Sequence, residues 1–120
     1  MNSIRHRNRV IGERKGKEKG PLLVIFAQIH GNEPAGTKAI KALFRAIDQE
    51  CSRNPNIRNR GTNVGLVGNV KASRKGVRYI EKALNRSWLV PAVEQIRATE
   101  DWSQLDAEDQ EIKANLEVNE

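Results

Sequence analysis

The chain has 120 residues, a formal net charge of +6, and 38% hydrophobic but only 4% aromatic residues. That length suits one domain, or part of one, with a small aliphatic core, and the single cysteine, Cys51, excludes an internal disulfide and favours a reducing, cytoplasmic setting. No run approaches the ~20 apolar residues of a membrane helix, and the basic start "MNSIRHRNR" is not followed by the apolar region of a secretory signal.

Taken in chain order, residues 1–8 are polar and expected to fray, as are 119–120. "RVIGE" (9–13) predicts a short strand, followed by the charged turn "RKGKEKG". Gly20-Pro21 then opens "LLVIFA" (22–27), apolar at every position, which predicts a strand buried on both faces of a parallel sheet. Pro34 suits the first turn of a helix, with Asn32 or Glu33 as its cap. Ile40, Leu43, Phe44 and Ile47 fall at i, i+3, i+4 and i+7 and give that helix one apolar stripe. Asn, Pro and Gly mark 51–63 as a loop, and "VGLVGNV" (64–70) reads as a second core strand. Strand, helix, strand predicts a right-handed βαβ unit. Residues 71–88 show no clean period and read as loop with short helical turns. Leu89, Val93 and Ile96 space one helix face, with Pro91 near its start, and Leu105, Ile112 and Leu116 mark a further helix in the acidic stretch from Ser103.

The chemistry-bearing pattern is "QIHGNEPAG" (28–36), placed where strand gives way to helix. In α/β sheets ligands bind at the carboxyl ends of strands. An imidazole and a carboxylate three residues apart, His30 and Glu33, can converge on one ion, and that donor pair suits zinc, which in catalytic sites takes three protein ligands and a water. The pair alone is also what a strand-end histidine and a helix-start carboxylate would look like. Cys51 has no His or Asn pattern around it, and Gly61, Gly65 and Gly68 do not form a phosphate-binding fingerprint.

Charge is unevenly spread. Residues 53–86 carry nine Lys/Arg against Glu81, whereas 99–120 carry eight acids against Lys113. Such a basic field attracts nucleic acid or a small anion equally, although most of these side chains are expected simply to coat a solvated surface. The few aromatics and the lack of a recognition motif argue against nucleic acid.

The motifs together are more specific than any one. Ile29-His30-Gly31-Asn32-Glu33, then Asn69 and Ala72, then Arg78-Tyr79, then Leu84-Asn85-Arg86 resemble, in order and spacing, the succinylglutamate desuccinylase/aspartoacylase family of the zinc carboxypeptidase-like fold, over roughly residues 9 to 90. The resemblance implies an α/β fold: the N-terminal portion of a zinc carboxypeptidase-like domain, a βαβ core with a mainly parallel sheet flanked by helices. It implies that His30 and Glu33 are two of three Zn2+ ligands, that Arg78 is catalytic beside the scissile carbonyl, and that Asn85 and Arg86 bind the substrate carboxylate through charge-assisted bonds. The reaction implied is hydrolysis of the amide of a small anionic N-acyl amino acid.

Three departures accompany the match. Ala83 stands where the family has Asp before Leu-Asn-Arg, and Ala27 and Gln28 replace glycines that often precede the family's His. The family's third ligand, a His on a later strand, and its general-base Glu have no counterpart: the chain's two histidines are His30 and His6, the latter in the basic N-terminal segment. The 120 residues are therefore expected to be a single but incomplete catalytic domain, the N-terminal part of such an enzyme. The other readings are a truncated non-catalytic relative acting as a binding domain and a basic nucleic-acid-binding module. An open sheet edge would leave room for homo-oligomerisation.

Overall fold

The structure, a computed structural model, describes residues 8–118; His6 and the segments 1–7 and 119–120 lie outside them. Among the described residues three strands form one sheet: β1 (Val10–Lys15), β2 (Glu18–Ala27) and β3 (Arg60–Val67), in the order β1-β3-β2. The same residues form four α-helices: α1 (Ala35–Arg53), α2 (Val70–Lys75), α3 (Val90–Ala98) and α4 (Ala107–Val118), with 3₁₀ turns at Leu84–Ser87 and Trp102–Gln104.

The α/β class and the β2-α1-β3 unit agree with expectation, but the sheet is mixed rather than mainly parallel. β2 runs parallel to β3, with Val24 opposite Val64, whereas β1 runs antiparallel to it, with Glu13 opposite the same Val64. The expectation that 22–27 would be buried on both faces is overturned. β2 is an edge strand of the described sheet, and Leu22 and Leu23 are each more than half exposed. The fully covered strand is β3, where Val64–Val67 are all buried, because it has a neighbour on each side. Gly20-Pro21 falls at a register shift in β2, as expected of a residue that cannot donate to the ladder.

α1 starts later and ends later than the sequence suggests. Pro34 is itself the cap residue and no side chain caps the helix, so neither Asn32 nor Glu33 plays that part. The helix runs through Cys51 to Arg53, which shortens the predicted 51–63 loop to 54–59. Its inner face places Ile40 and Phe44 against Ala27, with Ile11 and Ile25 alongside, while Leu43 stays nearly half exposed. Two strand glycines allow this approach: a Cβ on Gly12 would lie 2.8 Å from the Phe44 ring, and one on Gly65 would lie 2.7 Å from Ile40.

A second core joins Leu84, Ile96 and Ile112, with Ile29, Trp88, Leu105 and Leu116 packed around it. Burying side chains of this size contributes roughly 1.5–3 kcal/mol each. This core ties α3, α4 and the 84–87 turn to Ile29, beside the predicted metal pair.

The acidic helix α4 is not a solvated face. Glu108, Glu111, Ile112 and Asn115 sit at i, i+3, i+4 and i+7 and are all buried. Opposite them lies Arg9, 1% exposed. Its guanidinium donates to the Val67 and Gly68 carbonyls and to Asn115 Oδ1, and pairs with Glu111 at 3.0 Å. Burial lowers the Arg9 pKa, and the bonds to Glu111 oppose that fall. Arg9 is thus an exception to the surface coat expected for most Lys and Arg side chains.

Candidate active site

The chain leaves β2 at Ala27 and turns sharply at Gln28, whose φ of +52° is a left-handed conformation. Glycine adopts it without steric cost, but a side chain does not. Here the side chain offsets the strain. Gln28 Nε2 donates to the Gly31 carbonyl and to Ser73 Oγ, each at 2.8 Å, and Oε1 accepts from Thr37 Oγ1 at 2.6 Å. The side chain that stands at this point in place of a glycine thus organises the loop.

The turn that follows brings the predicted pair together. The Glu33 amide donates to the His30 carbonyl at 3.1 Å, and His30 Nδ1 lies 3.3 Å from Glu33 Oε2. His30 is largely buried and Glu33 mostly exposed. Two donors about 2.0–2.1 Å from a tetrahedral zinc are themselves roughly 3.3–3.4 Å apart, so the pair is spaced as two ligands of one ion would be. His30 Nε2 is buried with no hydrogen-bond partner. Among the described residues no group of three His, Cys, Asp or Glu gathers around a common point.

Gly31 connects this loop to the predicted catalytic residue. Its amide donates to the Arg78 carbonyl at 3.0 Å, and a Cβ on it would run into the backbone of Ala72 and Ser73. Arg78 itself has an exposed side chain. Asn85 and Arg86 lie on the 84–87 turn with exposed side chains, anchored by Leu84 and Ser87, which are buried. Ala83 is the cap residue of that turn and offers no side-chain bond. The family's Asp would stand where a carboxylate can accept the turn's free amides.

The segment just before the turn is held from α4. Glu108, fully buried, accepts from the backbone amides of Ile80, Glu81 and Lys82 at 2.8–2.9 Å and from Asn69 Nδ2 at 2.9 Å. Burial would raise its pKa, but these four bonds outweigh it and hold the carboxyl below its ordinary value. Asn69 also caps α2 through Oδ1, and its amide donates to the Gln28 carbonyl at 3.0 Å. Glu108 was missed in the sequence, although a signal existed: it occupies a core position on the α4 stripe. A groove of about 310 Å³ beside Val10, Leu22 and Val64 includes none of these residues.

The model of the succinylglutamate desuccinylase/aspartoacylase catalytic domain matches residues 19–117. The chain belongs to this family. A succinylglutamate desuccinylase of Pseudomonas syringae pv. tomato is 33% identical over 72 residues, which is 60% of this chain and 20% of that protein. One from Pseudomonas putida is 39% identical over 64 residues, 53% of this chain and 18% of that protein. The chain thus spans about a fifth of the length of the curated relatives it matches. No solved structure matches it. No helix among the described residues is long and apolar enough to cross a membrane.

Proposed function

We propose that this chain forms part of the catalytic domain of a zinc-dependent, cytoplasmic deacylase that hydrolyses the amide of a small anionic N-acyl amino acid. The observation that carries the reading is the 3.3 Å approach of His30 Nδ1 to Glu33 Oε2 on a loop bonded through Gly31 to Arg78. His30 and Glu33 would hold the metal, which when bound would polarise the scissile carbonyl and acidify a water.

The chain's own residues supply the rest. Arg78, tethered at its carbonyl but free at its guanidinium end to face a ligand, offers fixed positive charge where negative charge develops on the carbonyl oxygen. Arg86 presents two parallel donors to a carboxylate, and Asn85 an amide beside it. Their common 3₁₀ turn limits how far the two can separate.

Zinc content measured on the purified chain, with hydrolysis of N-succinyl-L-glutamate and N-acetyl-L-aspartate, tests this reading. Retained zinc that is lost together with any hydrolysis in His30→Ala and Glu33→Ala supports it. Unchanged zinc content in both variants would sink it.

A further inference from the structure

We propose that Glu108 is a positioning residue that holds the segment 78–87, which carries Arg78 and the Asn85-Arg86 turn, in register with the His30–Glu33 loop; its relevance to substrate rests on the function proposed above. The segment 80–82 belongs to no helix or strand, so its amides have no ladder to satisfy them. All three instead point at one carboxylate. Oε1 takes Glu81 and Lys82, and Oε2 takes Ile80 together with Asn69 Nδ2.

The contact is reciprocal. The Ala107 amide, at the start of α4, donates to Glu81 Oε2, and Lys82 Nζ lies 2.7 Å from Asp106 and 2.9 Å from Asp109. The first turn of α4 and the segment 80–82 therefore grip each other through both backbone and side chains. From Glu108 the connection passes to Asn69, and from the Asn69 amide to the Gln28 carbonyl at the base of the metal loop. One buried carboxylate is thus bonded to the segment that leads into Asn85-Arg86 and to the residue that joins it to His30. With Ala83 unable to cap the 84–87 turn, this carboxylate adds a polar anchor just before the buried Leu84 and Ser87.

Glu108→Gln tests the idea with almost no change of shape. An amide has one acceptor oxygen and would set an N–H group against donors already in place. Hydrogen exchange is followed residue by residue in the unmutated chain and in the variant, alongside calorimetric titration with N-succinyl-L-glutamate. The expected result is strong protection of the 80–82 amides in the unmutated chain. In the variant that protection should fall at least about tenfold while amides of α1 and β3 stay protected, and binding of the probe should weaken by roughly 10–100-fold.

Exchange of 80–82 at the rate of free amides in the unmutated chain would overturn the proposal even if the variant does not fold. So would protection that survives the substitution, or a loss of protection that leaves probe binding untouched. If the unmutated chain fails to bind the probe, the desuccinylase reading is what falls, and exchange at 80–82 still decides whether Glu108 sets the turn.

Discussion

Glu108 and Asn69, 39 positions apart, meet through a 2.9 Å hydrogen bond at a point where neither side chain reaches solvent. Asn69 closes the end of β3 and caps α2, while Glu108 reaches out of α4. The bond therefore joins the sheet's exit to the helix that anchors the segment 80–82.

Asn69→Ala removes both the cap and a hydrogen bond to a buried carboxylate. A lost cap costs about 0.5–2 kcal/mol, and a lost bond to a charged group about 1.5–3. The expected destabilisation is roughly 2–5 kcal/mol, read from the midpoint shift in urea at an unchanged slope. A loss below about 0.5 kcal/mol would show that the side chain is solvated and that the joint does not exist.

The depressed pKa of Glu108 fixes the sign of one pH effect. A carboxyl held below its ordinary value of 4.5 contributes fully above that pH, and its contribution disappears as the pH falls through its lower, folded-state value. Thermal melting of the unmutated chain and Glu108→Gln should therefore differ most near neutrality and converge only as the pH falls below the ordinary carboxylate range. Lys82 behaves oppositely. Its partial burial works against the charge, but Asp106 and Asp109 outweigh that and raise its pKa, so its small contribution is lost only as the pH climbs above the ordinary lysine range.

Arg9 and Arg14 make ion pairs of unequal worth. Arg14 bonds to Asp48 at 2.6 Å, but Asp48 is 65% exposed, whereas Arg9 and Glu111 are both buried. Arg9→Met leaves Glu111 uncompensated and should cost about 3–5 kcal/mol. Arg14→Met should cost no more than about 1. Equal losses in chemical denaturation would contradict the burial argument.

Gln28→Gly sets strain relief against bonding. Relieving a left-handed side-chain residue gains about 1–2 kcal/mol, and glycine's extra freedom in the unfolded chain takes back up to ~1. Three hydrogen bonds are lost at about 0.5–1.5 kcal/mol each. The balance predicts destabilisation of roughly 1–2 kcal/mol, with Ser73 and Thr37 left unpaired. A more stable glycine variant would mean that the strain exceeds the bonds.

Much of the fold was legible in the sequence because local patterns report local burial. The apolar stripe of α1, the helix starting beside Pro91 and the leucine and isoleucine spacing of α4 all came from period alone, and each element is present. The His30–Glu33 pair was legible for the same reason: both residues lie on one turn, and its geometry depends on four consecutive residues.

The chain's own order of residues determined the strand–helix–strand unit, the place of the His30–Glu33 pair after β2 and the exposed turn bearing Asn85 and Arg86. Only the tertiary structure decided that β3, not β2, is the central strand, since a run of apolar residues does not reveal how many neighbours a strand will have. It alone turned an acidic stretch into a buried brace. A carboxylate in water costs nothing to place and looks the same in sequence as one that accepts amides 26 to 28 residues away. The difference lies in what folds around it, because a buried charge is tolerated only where donors from distant parts of the chain converge to replace water.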